Sequence, residues 1–357
     1  MRDPRPHADK PERTSLETYG KGFEEYLQSP LQPLKDNLDS ATYEVFEKDP
    51  VKYISYENAI AKALVDRIPE ESVSDVTCVV MVVGAGRGPL VEATLKAAQT
   101  SGRNIRVYAV EKNPGAVNTL LNRQRDEWGE NVTIVSSDMR LWTAPEKADI
   151  LVSELLGSFG DNELSPECLD GAQSFLKGDG VSIPCSYTSH LSPVSSAKLH
   201  SLVSCAIDKE KAYPLHQFDI PSVVYMRNMY EIAQPKVCFT FLHPNWSVPV
   251  DNRRYICLRF TAKESITMHG FAGYFDTNLY DHIKLSIEPT TYSDGMISWF
   301  PIFFPLVTPV YVKQGGEIEV HMWRVCNSKK VWYEWCLTKP ITTAIQNPNG
   351  RSYWIGL

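Results

Sequence analysis

Hydrophobic positions follow two different patterns along the chain. In the first half, short continuous apolar runs alternate with segments of helical periodicity. Continuous apolar runs of about 4–8 residues are typical of strands buried on both faces, and their alternation with helices indicates a parallel sheet with helical crossovers. The pattern predicts strands at residues 77–83, 106–110, 132–135 and 149–152, and helices at residues 90–100 and 116–128. We therefore predict a doubly wound α/β domain.

The pattern changes after about residue 185, where shorter segments alternate between apolar and polar positions. Pro, Asn, Asp and Gly separate these segments, as is typical of antiparallel strands joined by turns. The alternating segments predict strands at residues 238–241, 255–260, 283–287, 317–323 and 331–336. The second half is therefore predicted to be an antiparallel β-barrel or sandwich.

The residues before the first predicted strand divide into a polar tail and a helical region. Residues 1–15 are predicted to be disordered from their composition, and residues 16–70 to be mainly helical. Phe23, Tyr26 and Leu27 show helical spacing, Ser55 is a candidate helix cap, and Pro69 is a predicted helix stop. The predicted organisation is a tail over residues 1–15, a Rossmann-like domain with N-terminal helices over 16–184, and a β-barrel domain over 185–357.

Composition and charge narrow the function classes. The net charge of −7 argues against general affinity for nucleic acid and suits a cationic substrate. The eight cysteines include no C-x-x-C pair, which favours reduced cysteines and hence the cytoplasm or nucleus. The N-terminus lacks the apolar segment of a signal peptide, and the longest apolar stretch, residues 299–312, contains three prolines, so no membrane role is predicted.

A glycine-bearing loop with two glutamates follows the strand predicted at residues 149–152. Glu154 and Glu163 lie nine positions apart, so a continuous helix would turn their carboxylates about 180° away from each other and separate them by roughly 13 Å. Gly157 and Gly160 instead allow the chain to double back, because glycine tolerates positive φ. Two carboxylates that converge in this way require a cation between them. The loop is therefore predicted to bind a cation, and no metal site is predicted in the chain.

Polar features also end the first three predicted strands. Gly84, Gly86 and Gly88 form a loop between the first strand and its helix, but a dinucleotide fingerprint requires a third glycine at the position of Pro89. Glu111 ends the second strand, where a carboxylate can accept hydrogen bonds from ribose hydroxyls. Asp138 and Met139 follow the third strand and could border an adenine ring. Together these features favour a nucleoside ligand without a pyrophosphate, such as S-adenosylmethionine.

These motifs, with the glutamate loop, resemble the protein arginine methyltransferases, and most closely the type II, symmetric-dimethylating branch of the methylosome. The resemblance runs from about residue 20 to Leu357. It implies a Rossmann-like, S-adenosylmethionine-dependent methyltransferase domain followed by a substrate-binding β-barrel. Further stretches that carry the resemblance are residues 27–34, 43–50, 164–170, 271–275 and 350–353.

The resemblance also assigns roles to individual residues. It implies that Glu154 and Glu163 are the catalytic pair. Phe46 matches the phenylalanine associated with symmetric dimethylation, where asymmetric enzymes have methionine. The implied substrate contacts are completed by Ser298, Trp299 and Phe300. The implied cofactor contacts are Tyr43, Lys52, Tyr53, Gly84, Gly86, Arg87, Glu111, Asp138 and Met139.

The chemistry of arginine agrees with this assignment. A guanidinium stays protonated and is a poor nucleophile, and two carboxylates can hold its planar fork so that one nitrogen faces the methyl donor. We expect Glu154 to be the main clamp and Glu163 to accept the released proton. Trp299 could stack on the guanidinium face. The implied substrates are histones and RNA-processing proteins with Gly/Arg-rich tails.

Two features depart from the family pattern. Relatives of this type begin with a large barrel domain that mediates tetramer assembly and binds a WD-repeat partner, and nothing before residue 20 is expected to form it. A homo-oligomer is still expected, with a dimerisation element at residues 207–222, but the WD-repeat partner is in doubt. Phe23 stands where the family is expected to have a tyrosine near the substrate backbone.

Two other functions compete with an active methyltransferase. A cofactor-binding but inactive regulatory subunit would share every cofactor motif. A nicotinamide dehydrogenase would share the sheet and the glycine loop, but Pro89 and the absence of an evident catalytic His or Lys near the loops disfavour it.

Overall fold

The computed structural model describes residues 15–24, 26–206 and 213–357. The disordered tail was predicted over residues 1–15, of which residues 1–14 lie outside the described residues. The last residue of the predicted tail, Ser15, begins a helix. The α-helices are α1 Ser15–Gly20, α2 Ser40–Glu47, α3 Pro50–Arg67, α4 Pro89–Ser101, α5 Pro114–Arg123, α6 Ser165–Ala172 and α7 Ala197–Cys205. None of the helices in the described part of the chain is long and apolar enough to span a membrane.

The first half forms a five-stranded parallel sheet in the order β3-β2-β1-β4-β5. The four strands that the apolar runs predicted are present, so the doubly wound α/β prediction is confirmed. The fifth was missed because Gly178, Asp179 and Gly180 interrupt its apolar pattern. The strands are β1 Thr77–Val83, β2 Asn104–Glu111, β3 Val132–Ser136, β4 Ala148–Ser153 and β5 Leu176–Ile183.

Both faces of the parallel sheet are buried, which explains its continuous apolar runs. On one face, Val80 and Val82 of β1 pack in the larger core, together with Ile60 of α3. On the other face, Met81 and Val83 pack with Leu169 of α6. Because the strands are parallel, their carboxyl ends meet at one edge of the sheet. The four candidate motifs follow β1, β2, β3 and β4 at this edge.

The second half is antiparallel, with a change of direction between Ile183 and Ser186. A seven-stranded sheet has β6 and β11 at its centre, and a four-stranded sheet has the order β10-β14-β15-β16. The strands are β6 Ser186–Ser195, β7 Ser222–Val223, β8 Tyr230–Glu231, β9 Lys236–Leu242, β10 Arg254–Thr261, β11 Ile266–Tyr280, β12 Ile283–Ser286, β13 Ile302–Val312, β14 Glu317–Cys326, β15 Lys330–Lys339 and β16 Ile355–Gly356.

Each of the five alternating segments of the second half falls on a strand, although segment 283–287 runs one residue past β12. Six further strands were not predicted: β6, β7, β8, β11, β13 and β16. β11 lies between β6 and β13 and is buried over most of its length, so its sequence shows no alternation. The predicted dimerisation element falls partly on residues 207–212, which lie outside the described residues. Its remainder includes a short 3₁₀ turn, Pro214–Asp219.

The helical prediction for residues 16–70 is confirmed in α1, α2 and α3 but wrong in two details. Phe23, Tyr26 and Leu27 are not helical, because residues 21–24 and 26–38 form turns and isolated β-bridges. Ser55 does not cap a helix; it lies inside α3 and donates a hydrogen bond to the Val51 carbonyl. Asp49 is the cap, and α3 ends at Arg67, two residues before the predicted stop at Pro69.

Residues 26–38 cross the antiparallel half instead of extending a helix. Gln28 exchanges backbone hydrogen bonds with Val223 at 2.9 and 2.8 Å. The side chain of Gln32 donates to the Trp354 carbonyl at 3.1 Å, close to the C-terminus. This segment therefore connects the two halves before the chain enters α2.

Candidate active site

The residues that the sequence singled out line one cavity of about 440 Å³ at the carboxyl edge of the parallel sheet. A volume of this size suits a small-molecule site. The antiparallel half closes the cavity from the opposite side. The lining includes Tyr43, Phe46, Lys52, Tyr53, Gly84, Gly86, Arg87, Glu111, Asp138, Met139, Glu154, Glu163, Ser298, Trp299 and Phe300.

The glutamate loop doubles back, as its glycines predicted. Gly157 and Gly160 exchange backbone hydrogen bonds at 3.1 and 2.8 Å. Gly160 has a φ of +79°, whereas Gly157 is required for space, because a Cβ there would lie 2.4 Å from the Asn162 side chain. A short 3₁₀ turn, Asp161–Glu163, then brings the second glutamate back to the cavity. Both carboxylates thus reach one site.

Glu154 already faces a cation in this structure. Its Oε2 lies 3.4 Å from the ammonium nitrogen of Lys52, which is almost completely buried, and its Oε1 accepts the Leu156 N–H at 3.1 Å. Burial alone would lower the pKa of Lys52, but the charge of Glu154 and neighbouring groups outweighs it and raises the pKa, so the ammonium stays charged.

Aromatic rings surround the same ammonium. The nitrogen of Lys52 lies 4.8 Å from the ring centre of Tyr53, 5.0 Å from that of Trp299 and 5.6 Å from that of Phe46. These distances fall within the range of cation–π attraction. The cavity therefore contains a position that a cation occupies between a carboxylate and aromatic faces.

Glu163 has a different environment from Glu154. Burial, and then the negative charge of Glu154, raises the pKa of Glu163 well above its usual value, while the Lys52 cation opposes this shift. A carboxyl group with a raised pKa binds a proton more firmly. An ionised Glu163 is therefore a stronger proton acceptor than an ordinary glutamate.

The glycine loop and Glu111 form the opposite end of the cavity. Gly84 has a φ of +72°, and a Cβ on it would lie 2.7 Å from a Leu155 methyl group. Glu111 accepts the Gly86 N–H at 2.8 Å through one oxygen and the Asn113 N–H at 2.7 Å through the other. Each carboxylate oxygen keeps a free lone pair, so Glu111 can also accept a hydrogen bond from a hydroxyl group of a ligand. These donors and acceptors fit a ribose.

Asp138 and Met139 complete the end of the cavity beside β3. Asp138 forms a two-pronged ion pair with Arg140, with distances of 2.8 and 3.1 Å to its Nη2 and Nε. Burial opposes ionisation of Asp138, but the hydrogen bonds from Arg140 lower its pKa below the usual value. An ionised acceptor beside a thioether fits the edge of a purine.

Helix α2 covers the glycine loop and supplies two lining rings. Asn113 donates to the Tyr43 hydroxyl at 3.2 Å, and Phe46 meets the Tyr43 ring edge-on. Arg87 is directed to this helix, with Nε 3.2 Å from Glu47 and Nη1 donating to the Ser40 carbonyl at 3.1 Å. Arg87 therefore lines the cavity mainly as a link between the glycine loop and α2.

The loop between β12 and β13 brings Trp299 to the cavity. Trp299 has a φ of +64°, a left-handed conformation that costs a side-chain-bearing residue about 1–2 kcal/mol. Its indole N–H donates to the Leu156 carbonyl at 2.8 Å, and its ring meets Phe275 edge-on at 5.1 Å. The next residue, Phe300, packs against Tyr225. The strained conformation is thus held by contacts with the glutamate loop and β11.

Sequence reasoning missed two groups that shape the site. Asp49 is completely buried and accepts backbone N–H groups from both α3 and the Trp299 loop. The Asp-Pro pair at residues 49–50 is a helix-start signal that could have revealed the cap. Arg324 of β14 is also completely buried and binds Asp161 at 2.5 Å and Glu167 at 2.8 Å. Nothing in the spacing of Asp161 and Arg324 predicts that they meet.

A cluster of Cys257, Glu319 and His321 lies on the four-stranded sheet, away from the cavity. Its potential ligand atoms lie within 4.8 Å of one another. However, Arg259 donates to Glu319 at 2.6 Å, and Thr338 donates to its other oxygen at 2.6 Å. A guanidinium on the carboxylate opposes a metal cation there, so we assign the cluster no ligand.

The fold and the site define the class of Rossmann-like methyltransferases. Two solved structures share the fold. The Trypanosoma brucei PRMT1 enzyme-prozyme heterotetrameric complex with AdoHcy aligns with a TM-score of 0.69 and 18% identity, covering 86% of this chain and 96% of that one. Arabidopsis thaliana protein arginine methyltransferase 10 aligns with a TM-score of 0.65 and 17% identity, covering 88% of this chain and 97% of that one.

Sequence comparisons identify the family. Residues 14–183 match the PRMT5 arginine-N-methyltransferase family, and residues 186–355 match the PRMT5 oligomerisation domain. Protein arginine N-methyltransferase 5 of Xenopus laevis is 57% identical over 349 residues, covering 98% of this chain and 55% of that protein. Protein arginine N-methyltransferase skb1 of Schizosaccharomyces pombe is 42% identical over 369 residues, covering 96% of this chain and 57% of that protein.

The chain therefore belongs to the PRMT5 arginine-N-methyltransferase family, which confirms the resemblance found in its sequence. It spans about half the length of the curated relatives that it matches. Membership of this family supports S-adenosylmethionine as the cofactor of the cavity and excludes the dehydrogenase alternative.

Proposed function

We propose that this chain is a protein-arginine N-methyltransferase that uses S-adenosylmethionine and forms symmetric dimethylarginine. One observation carries the proposal: Glu154 and Glu163 converge on a cavity in which a cation, the ammonium of Lys52, already lies between a carboxylate and aromatic rings. A guanidinium is a larger and flatter cation, and beside the Lys52 ammonium it would meet the same pair of carboxylates and the same aromatic rings. Its planar fork can bind a carboxylate through two parallel hydrogen bonds, as an ammonium cannot.

Glu154 is the residue that we propose as the clamp. It projects from the carboxyl end of β4, and its Oε1 is already fixed by the Leu156 N–H at 3.1 Å. Trp299 supplies an aromatic face beside it, in the position for a cation–π contact with the guanidinium. Together they orient one terminal nitrogen and stabilise the positive charge that persists through the reaction.

Glu163 is the residue that we propose as the proton acceptor. A guanidinium nitrogen that gained a methyl group from the cofactor would carry one proton too many. That nitrogen must then lose a proton for the product to return to the charge of an ordinary guanidinium. Burial and the charge of Glu154 raise the pKa of Glu163 and so make its carboxylate a stronger proton acceptor than an ordinary glutamate.

The residues present fit the proposed cofactor. Glu111 offers free lone pairs for ribose hydroxyls, and Asp138 and Met139 offer a polar and an apolar edge for a purine. Lys52 and Tyr53 lie between this end and the glutamates, where a cation and a hydroxyl suit the carboxylate of an amino acid group. When bound, S-adenosylmethionine would supply the electrophilic methyl group.

We further propose protein substrates with Gly/Arg-rich tails, including histones and RNA-processing proteins, and a homo-oligomeric state. The match to an oligomerisation domain supports oligomers. All eight cysteines are free, which agrees with action in the cytoplasm and nucleus. The relatives are about twice as long as this chain, and the proposals do not extend to the domains and partners of their remaining parts.

The direct test is incubation of the chain with S-adenosylmethionine and an Arg-Gly peptide, followed by weighing the peptide by mass spectrometry. We expect a mass gain of one or two methyl groups on arginine, with the second methyl on the other terminal nitrogen. A matched peptide with lysine in place of arginine should gain no mass. Binding of S-adenosylhomocysteine without any mass gain would indicate a cofactor-binding but inactive subunit instead.

A further inference from the structure

Asp49 is bound by two separate parts of the molecule. Its Oδ1 accepts the N–H groups of Val51 and Lys52 at 3.0 and 3.2 Å, which caps helix α3. Its Oδ2 accepts the N–H groups of Ile297 and Ser298 at 2.9 and 2.7 Å, in the loop between β12 and β13. The side chain is completely buried. One carboxylate therefore joins the helix that carries Lys52 to the loop that carries Trp299.

A helix cap alone does not account for this arrangement. A cap needs only one acceptor for the first free N–H groups of the helix, and Ser, Thr or Asn serves as well as Asp. Here the second oxygen, Oδ2, accepts only N–H groups of the loop, and Ile297 lies 248 positions along the chain from Asp49. Both oxygens accept two donors each, so all of the lone pairs of the carboxylate are used.

The loop is also fixed on its other side by its own contacts. Glu288 accepts the N–H groups of Thr290 and Thr291 at 3.0 and 3.1 Å, and Tyr292 donates to the Met296 carbonyl at 2.6 Å. Asp49 binds the two residues that directly precede Trp299. The left-handed backbone of Trp299 thus lies between the Asp49 contacts and the indole hydrogen bond to Leu156.

We propose that Asp49 is a positioning residue that holds Trp299 against the cation position before the substrate binds. The inference rests on the proposed function, because it assigns the cation position to the substrate arginine. Asp49 itself does not line the cavity. It acts through the loop backbone and keeps the ring of Trp299 at the distance, 5.0 Å from the Lys52 nitrogen, at which it can attract a cation.

The replacement Asp49→Asn separates the two roles of the side chain. Asparagine keeps one acceptor oxygen for the helix cap, but its NH₂ group must face the N–H groups of Ile297 and Ser298. Asp49→Ser is a second variant that keeps a capping oxygen and is too short to bind the loop. Asp39→Ser is the matched control, because Asp39 caps α2 through the Thr42 N–H at 2.7 Å and its side chain binds no other element among the described residues.

Hydrogen exchange tests the positioning role of Asp49 without relying on activity. In both Asp49 variants we expect faster exchange of the amides of residues 296–300, while Asp39→Ser exchanges like the wild type there. Binding of S-adenosylhomocysteine, measured by calorimetry, should change less than about 3-fold. Wild-type exchange in this loop in both Asp49 variants would overturn the proposal.

Kinetics and a double-mutant cycle test the link to Trp299. We expect kcat/KM for an Arg-Gly peptide to fall on the order of 10- to 100-fold in Asp49→Asn and in Trp299→Phe, which lacks the indole N–H. If Asp49 acts through Trp299, the double variant loses little more than the worse single variant. Multiplicative losses would overturn the proposal. Absence of methyl transfer in the wild type would instead contradict the proposed function. The hydrogen-exchange result would then decide whether Asp49 positions the loop.

Discussion

The ammonium of Lys52 lies 3.4 Å from Oε2 of Glu154, in a site where Lys52 is almost completely buried. The pair brings a positive charge to two carboxylates that would otherwise face each other across a low-dielectric cavity. Its effect reaches Glu163, because the Lys52 cation opposes the burial and the Glu154 charge that raise the pKa of Glu163. Lys52 therefore lowers the pKa of Glu163 as well as lining the cofactor end of the cavity.

Replacing Lys52 with Met should move the acidic limb of the pH–activity profile to higher pH. Lys52 lowers the pKa of Glu163, so removing it raises that pKa further, and a higher pH is needed to ionise the carboxyl. We expect a shift on the order of 1 pH unit in kcat/KM for the peptide, measured at saturating S-adenosylmethionine. Lys52→Arg keeps the charge and should leave the limb near its wild-type position. An unmoved limb in Lys52→Met would show that Lys52 does not control the pair.

Replacing Glu163 with Gln should stabilise the fold at high pH. The pKa of Glu163 is raised in the folded chain, so the folded state loses stability, relative to a neutral side chain, as the pH rises from the unfolded pKa through the raised folded pKa. At pH 8 we expect Glu163→Gln to melt higher than the wild type by on the order of 2 °C. At pH 4 the two should melt alike, since both side chains are then neutral. A constant difference at both pH values would contradict the raised pKa.

Replacing Arg324 with Met should destabilise the chain strongly. Arg324 is completely buried and binds Asp161 at 2.5 Å and Glu167 at 2.8 Å, so its loss leaves two carboxylates without their cation. Breaking a buried pair from one side costs about 3–5 kcal/mol. The control Arg253→Met removes an exposed pair with Asp251 and should cost about 0–1 kcal/mol in the same urea titration. Equal losses in the two variants would refute the role of Arg324.

Replacing Phe46 with Met should change the product. The Phe46 ring lies 5.6 Å from the Lys52 nitrogen and is fixed edge-on against Tyr43, so it limits the space around the substrate nitrogen. Methionine is narrower and more flexible. We expect asymmetric dimethylarginine to appear beside the symmetric product in hydrolysed peptide. Val65→Met places methionine on α3 at a position that is 45% exposed and outside the cavity lining, and it should leave the product unchanged. Purely symmetric product from Phe46→Met would remove Phe46 from the control of specificity.

The sequence predicted the cavity better than it predicted the structures that close it. Strand-end motifs such as Glu111 and Asp138 could be placed, because parallel strands bring their carboxyl ends to one edge of a sheet. The doubling back of the glutamate loop could be predicted from Gly157 and Gly160. These inferences depend only on local sequence and on the geometry of the sheet.

Contacts between distant parts of the chain could not be predicted. Asp49 meets the Ile297 backbone across 248 positions, and Arg324 meets Asp161 across 163 positions, with no periodicity to connect them. β11 was missed because it lies inside the sheet between β6 and β13, and its mostly buried sequence lacks the alternation of apolar and polar positions. The helical prediction at Phe23 is wrong because spacing alone does not show that Glu24 and Gln28 form β-bridges with Tyr225 and Val223.

The central claim is that Glu154 binds the substrate guanidinium and does not hold the cofactor. It is tested most directly by measuring methyl transfer to an Arg-Gly peptide and S-adenosylhomocysteine binding on the same samples of wild type and Glu154→Gln, with the exposed Glu71→Gln as control. We predict that Glu154→Gln loses transfer by at least on the order of 10³-fold while binding changes less than about 3-fold. Full methyl transfer by Glu154→Gln would contradict the account.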